Sequence, residues 1–225
     1  MFFSPYDWLL LPAMALALYA QYKVRSTYER FSQIRAAAGL TGAQVASQLL
    51  RASHLENVSV EETRGTLSDH YDPAKRVLRL SSGVYHSDSI AALGVAAHET
   101  GHAQQHATGY LPLRLRHSIV PLASFGSSLA IPLFLVGLLM SIPALMTLGI
   151  LLFSGAVLFQ VVTLPVEFDA SRRALAQLQS GGFLREDEVR KARQVLSAAA
   201  LTYIAATAVA LVHLLRLLML RRARD

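Results

Sequence analysis

Two long apolar stretches, separated by a single residue, set the strongest limit on how this chain can fold. Residues 119–140 and 142–165 contain no Asp, Glu, Lys or Arg. Each is long enough to cross the hydrocarbon core of a bilayer as a helix. Only 16% of the whole chain is charged, against about 25% in soluble domains. The sequence therefore predicts a mainly α-helical membrane protein.

Two further apolar stretches, residues 6–22 and 196–220, bring the predicted number of transmembrane helices to about four. The first is followed by positive charge, beginning at Lys23, and is not preceded by it. A secretory signal has the opposite arrangement, so we interpret this stretch as an uncleaved anchor. The last stretch is weaker because His213 and Arg216 interrupt it, although an arginine near a helix end can reach the interface.

The apolar stretches divide the chain into five predicted segments. These are an N-terminal anchor (1–22), a polar α+β region (23–118), a transmembrane hairpin (119–165), a helical segment (166–195) and a C-terminal transmembrane helix with a basic tail (196–225). The two polar segments hold most of the Lys and Arg, which predicts that both face the cytoplasm. The basic tail does not fit this rule. We attribute the net charge of +6 to this orientation signal. We therefore predict no nucleic-acid partner.

Local signals in the first polar region predict two helices and two strands. Thr41 can cap a helix that continues to about Ser53, and a serine-rich cluster ending at Ser89 can cap a second helix that stops at Gly109. Residues 58–60 and 77–80 are β-prone, and a turn signal lies between them, so they are candidates for a hairpin.

The second of these helices contains the string His98-Glu99-Thr100-Gly101-His102 in its middle. On a helix, His98 and His102 lie one turn apart on the same face and can bind one zinc ion. Glu99 is placed to take a proton from a zinc-bound water. The chain has no cysteine, so thiolate ligands are excluded. The pattern indicates zinc-dependent peptide hydrolysis, and a chance match is the alternative.

A catalytic zinc ion needs a third protein ligand and an open position. His106 continues the spacing, but it lies about 12 Å along the helix axis from His98, too far for both to bind one ion. Glu167 is the better candidate, on a predicted helix over residues 167–179. Two transmembrane stretches separate it from the histidines, so both return to the same membrane face. A helix-start carboxylate that interacts with the helix dipole is the alternative reading of Glu167.

The HETGH string, the later VEFDASRRA, the earlier LSDHYDP and VLRLSSGVY segments and the flanking apolar stretches together resemble the YugP-like membrane zinc metallopeptidases. This bacterial family is distantly related to the HtpX-type membrane proteases. The resemblance implies a zincin-like α+β catalytic domain at the surface of the bacterial plasma membrane. It also implies a gluzincin site, with one Zn²⁺ held by His98, His102 and Glu167, and with Glu99 as general base.

The resemblance also raises candidates for supporting roles. The HtpX-type pattern usually has an Asp four residues after the ligand glutamate, where this chain has Ser171. Either Ser171 or Asp169 is therefore a candidate to orient a ligand histidine. Residues 77–80 resemble the edge strand on which zincins hold an extended peptide. His70 and Tyr71 are candidates to stabilise an oxyanion or contact substrate, and packing beside the following turn is the alternative.

These observations predict an integral membrane metalloendopeptidase that acts from the cytoplasmic side on protein or peptide substrates near the bilayer. Two alternatives stay open. A site-2-type intramembrane protease would carry its motif inside a spanning helix, but the helix around His98 is too polar to span. A catalytically inactive zinc-binding adaptor would usually have four protein ligands. The sequence predicts no particular oligomeric state.

Overall fold

A computed structural model describes residues 5–223, which are mainly helical. A short 3-10 turn (Pro5–Leu9) precedes the first helix. The described elements, in chain order, are α1 (Leu10–Ser32), α2 (Gly42–Ala52), β1 (Ser59–Thr63), β2 (His70–Asp72), β3 (Val77–Ser81), α3 (Ser82–Tyr85), α4 (Ile90–Ala107), α5 (Leu111–Leu139), α6 (Pro143–Ser180) and α7 (Glu186–Arg222).

The chain divides into two compact units. The first comprises Arg114–Pro165, together with the chain up to Gln21 and from Thr202 onward. The second comprises Tyr22–Leu113 and Val166–Leu201. Helices α1, α5, α6 and α7 each contribute residues to both units. The finer division into five segments stays a prediction.

Three of the described helices, α5, α6 and α7, are long and apolar enough to cross a membrane. At most 33% of the most apolar window of each is buried, and large side chains such as Leu139 and Leu151 are exposed. Outward-facing apolar side chains of this kind fit a membrane protein. Helix α1 is not among the three, so the predicted count of four stays a prediction.

The first unit has its own apolar core, formed by α5, α6 and α7. Phe134, Met146 and Leu217 are buried together in it. Close approach of α5 and α6 depends on Gly149, because a Cβ atom there would lie only 2.7 Å from the carbonyl oxygen of Ala130. Small residues at such crossings are typical of helices that pack within a membrane.

The second unit contains a three-stranded sheet with the order β1-β3-β2. The predicted hairpin of the first and last β-prone runs is wrong, because β1 and β3 pair in parallel. The hairpin is formed by β2 and β3, and its turn is closed by Asp72, whose carboxylate accepts from the backbone N–H groups of Ala74 and Lys75. A parallel pair needs a crossover connection. Here the connection is the chain between β1 and β3, which includes β2.

The central position of β3 also corrects the prediction that residues 77–80 form an edge strand. Both edges of β3 are hydrogen-bonded, one to β1 and the other to β2. Its backbone groups are therefore not free to hold an extended peptide. Leu78 and Leu80 share one buried face, as the alternation in the sequence predicts.

The boundaries predicted for α2 and α4 are confirmed. Thr41 forms a capping box with Gln44 at the start of α2, and the hydroxyl of Ser89 accepts from the backbone N–H of Ala92 at the start of α4. Helix α4 ends at Ala107, and Gly109 follows with a positive φ of 62°. The buried side chains of α2 and α4 pack with those of α6 and α7.

Helix α6 differs from expectation in one respect. The sequence predicts that residues 167–179 form a helix separate from the preceding transmembrane stretch. In the structure, α6 is continuous from Pro143 to Ser180. Pro165 lies inside it, although a proline usually marks a helix boundary. The helix ends just before Gly182, whose φ of 71° suits a glycine.

Candidate metal centre

Helices α4 and α6 bring three potential metal ligands together. His98 and His102 come from α4 and Glu167 from α6, and one ligand atom from each lies within 4.8 Å of the others. The Nε2 atoms of His98 and His102 lie 3.3 Å and 3.7 Å from the same carboxylate oxygen, Oε2 of Glu167. All three side chains are largely buried; that of Glu167 is only 3% exposed.

The spacing of these atoms fits a zinc ion. Bonds of about 2.0–2.1 Å in tetrahedral geometry place neighbouring ligand atoms roughly 3.4 Å apart, close to the two measured distances. Two imidazole nitrogens and a carboxylate oxygen are also a known donor set for catalytic zinc. The residues present therefore fit the metal that the sequence pattern predicts.

Each imidazole has a hydrogen-bond partner at its other nitrogen. Nδ1 of His98 lies 3.1 Å from Oγ of Ser171, and Nδ1 of His102 lies 3.0 Å from Oε1 of Gln105. Because an amide oxygen can only accept, His102 donates from Nδ1, so the neutral imidazole would have its lone pair at Nε2, on the side of Glu167, where a metal could bind it. Ser171 can accept from His98 in the same way. Such partners orient metal-binding histidines.

Gln105 connects His102 to α6. It is fully buried, and its Nε2 donates to the backbone carbonyl of Val166 at 2.8 Å and to Oδ2 of Asp169 at 3.0 Å. Asp169 also accepts from Arg172 and Arg173. Of the two candidates for orienting a histidine, Ser171 thus contacts one directly, whereas Asp169 is linked to His102 only through Gln105.

Gly101, between the two histidines, explains how α4 and α6 come this close. A Cβ atom at this position would lie 2.8 Å from the carbonyl oxygen of Ala170 and 3.1 Å from its Cα. These are backbone atoms, which cannot rotate away as a side chain can. The missing side chain of Gly101 therefore lets Glu167, three residues before Ala170, reach the histidines.

Glu99 is buried beside the ligands, with 8% of its surface exposed. Burial acts to lower the pKa of the His102 imidazole, but the hydrogen bond with Glu167 and the negative charge of Glu99 outweigh it and raise that pKa above its usual value. The buried carboxylates of Glu99 and Glu167 thus make the site negatively charged. A cation is the ligand that such a cluster of buried carboxylates favours.

Comparison with known proteins identifies the family. Residues 6–222 match the model of a family described as "Putative neutral zinc metallopeptidase". The chain belongs to this family. It is also 50% identical over 212 residues to "Putative membrane protease YugP" of Bacillus subtilis (strain 168), with 94% of each chain covered. No solved structure matches. The resemblance inferred from the sequence motifs is confirmed.

In this zinc metallopeptidase, the two residues expected to contact an oxyanion have other partners. His70 and Tyr71 lie on β2, at an edge of the sheet. Nδ1 of His70 donates to the carbonyl of Ser68 at 2.8 Å, and the Tyr71 hydroxyl lies 3.0 Å from Nδ1 of His106. Their role in catalysis stays a prediction. His106 is outside the ligand group, as its distance along the helix predicts.

Sequence reasoning missed Gln105 as a partner of the metal centre. The signal was its position three residues after His102, a spacing that puts two side chains on the same helix face. A glutamine in that position can accept from an imidazole, which is the role that carboxylates or carbonyls usually fill.

Proposed function

We propose that this family member is an integral membrane metalloendopeptidase of the gluzincin type, which hydrolyses peptide bonds of protein substrates at a single zinc ion. One observation supports the proposal most strongly. Both imidazoles turn Nε2 toward one oxygen of Glu167, and both have a protein partner at Nδ1. This is the arrangement of histidines prepared for a metal. Membership in a family of zinc metallopeptidases supports the same conclusion.

The residues have complementary tasks in the proposed reaction. A zinc ion held by His98, His102 and Glu167 would polarise the scissile carbonyl and lower the pKa of water at its fourth position. Glu99 then accepts the proton of the attacking water and delivers it to the leaving amine.

A four-span topology is part of the proposal, with the metal centre on the cytoplasmic face of the bacterial plasma membrane. Within the first unit, Nε of Arg216, near the end of α7, donates to Oδ1 of Asp7, just before α1, at 2.5 Å. Four crossings return these two positions to the same side, whereas three would separate them. The positively charged polar segments support a cytoplasmic site, where membrane-associated proteins or peptides are the expected substrates.

The experiment that tests the function measures zinc content and proteolysis in the purified, detergent-solubilised protein. We expect one zinc ion per chain, activity that chelation removes and zinc restores, and a Glu99→Gln variant that keeps zinc but loses at least 100-fold in kcat. Glu56→Gln, which alters an exposed glutamate, is the matched control. Parental activity in Glu99→Gln would refute the base assignment.

The same experiment separates the alternatives. Zinc without proteolysis in the parental protein would favour the inactive adaptor. Cleavage restricted to transmembrane helices, with none of unfolded soluble proteins, would favour an intramembrane protease. Active protein free of zinc would overturn the whole assignment.

A further inference from the structure

A groove of about 420 Å³ lies between α1 and α7 in the second unit. Each helix lines it with residues at the spacing i, i+3, i+4 and i+7, which defines a single helix face. The α1 residues are Lys23, Ser26, Thr27 and Arg30. None of the groove residues belongs to the metal centre or takes part in the proposed reaction.

The groove is positively charged and offers several hydrogen-bond donors. None of the described residues that line it is acidic, and within residues 5–223 neither Lys23 nor Arg30 makes an ion pair with an acidic side chain. From α7, Gln194 and Ser197 are exposed and add an amide and a hydroxyl. The Arg30 guanidinium lies over the ring of Phe31, another groove residue, 5.2 Å from its centroid. Two cations without an acidic partner, together with neutral donors, are groups that bind a phosphate.

The position of the groove along both helices indicates where such a phosphate would come from. Lys23 is the first charged residue after the apolar stretch of residues 6–22, and Leu201, also in the groove, lies within the apolar stretch of residues 196–220 on α7. Tyr22 is 70% exposed next to Lys23, as is typical of tyrosines at a membrane interface. Phe31 and Ala198 are further apolar residues of the lining. The groove thus combines cationic and apolar surfaces.

We propose that this groove binds the phosphate headgroup of an anionic membrane phospholipid. Lys23 and Arg30 are about 10 Å apart along the axis of α1, so their long, flexible side chains can converge on one phosphate group in the groove. The cytoplasmic leaflet, where the proposed topology places Lys23, carries the anionic lipids. The proposal does not depend on proteolysis and would hold for an inactive protein.

The test uses the full-length protein purified from membranes and exchanged into detergent with either phosphatidylglycerol or phosphatidylcholine. Native mass spectrometry counts the lipids that remain bound. We expect phosphatidylglycerol, and not phosphatidylcholine, to be retained by the parental protein, and the Lys23→Gln/Arg30→Gln double variant to bind it roughly tenfold more weakly. Arg25→Gln is the matched control, because Arg25 is a neighbouring exposed cation outside the groove.

Zinc content and thermal unfolding of each variant show that it is folded. Equal retention of phosphatidylglycerol by the double variant and the parental protein would overturn the proposal. So would an equal loss in Arg25→Gln, which would indicate general surface charge. A third arm adds excess inorganic phosphate: displacement of the lipid by the free anion at comparable concentration would assign the groove to a soluble phosphate compound instead.

Discussion

Ser171 stands 3.1 Å from Nδ1 of His98, on the same helix as Glu167 and one turn after it. Helix α6 therefore supplies both a candidate metal ligand, Glu167, and the hydrogen-bond partner of another candidate ligand, His98, on the facing helix. Residues at i and i+4 share a helix face, so the two functions come from one surface of α6. A hydroxyl fills here the position where the HtpX-type pattern has a carboxylate.

Replacing Ser171 by Ala is expected to weaken zinc binding. Loss of the partner at Nδ1 lets the His98 ring rotate and change tautomer, and such losses usually cost about 10- to 100-fold in metal affinity. Competition with a fluorescent zinc chelator measures the change. Ser154→Ala is the control, because that hydroxyl bonds only within its own helix, to the carbonyl of Ile150. Unchanged affinity in Ser171→Ala would show that the contact does not orient His98.

Gln105→Leu is expected to weaken both the fold and the metal site. The substitution removes the acceptor for His102 and two hydrogen bonds to α6, which should lower the free energy of unfolding by about 1–3 kcal/mol and zinc affinity by about 10- to 100-fold. Gln104→Leu is the control: Gln104 is also buried, but it bonds to Ser53 and Gln177. It should lose stability and keep zinc affinity. Equal zinc affinities in the two variants would contradict the assigned role.

Gly101→Ala tests the close approach of α4 and α6. The new Cβ would meet backbone atoms of Ala170, so we expect a loss of about 1–3 kcal/mol in stability and weaker zinc binding as Glu167 moves away. Gly94→Ala, earlier on the same helix, is the matched control. Its Cβ would lie 3.7 Å from Cβ of Ala192, an ordinary contact, and helix propensity favours it by roughly 0.5–1 kcal/mol. Chemical denaturation and zinc titration of both variants measure the difference.

His106→Ala is expected to leave zinc content unchanged. Its ring pairs with Tyr71 and is outside the ligand group, so only the Tyr71 contact is lost. His102→Ala should abolish binding, since it leaves two ligands. Metal analysis of both variants after dialysis against zinc-free buffer measures the zinc that each retains. Loss of the ion in His106→Ala would reopen the choice of third ligand.

The helix that carries the motif could be predicted because its ends are encoded locally. Ser89 caps its start and Gly109 follows its end, and both depend only on nearby residues. Glu167 could be found because membrane topology restricts which carboxylates reach the same face as the histidines. In both cases the prediction needed only nearby residues or the order of the apolar stretches along the chain.

The parts that could not be predicted depend on contacts between distant residues. The parallel pairing of β1 with β3 is decided by the whole sheet, and β2 has only three residues, too few for a pattern. Continuity of α6 through Pro165 depends on packing within the fold, which a local proline rule does not contain. The role of Gln105 becomes visible only when α6 lies beside it.

The division of the ligands between α4 and α6 has a consequence for the newly made protein. Glu167 follows His98 by 69 residues, with the whole of α5 between them. A nascent chain that has emerged only through α5 holds two of the three ligands and no complete site. The proposed enzyme is therefore inert throughout that stage of synthesis and insertion, and it becomes active only when α6 has packed against α4.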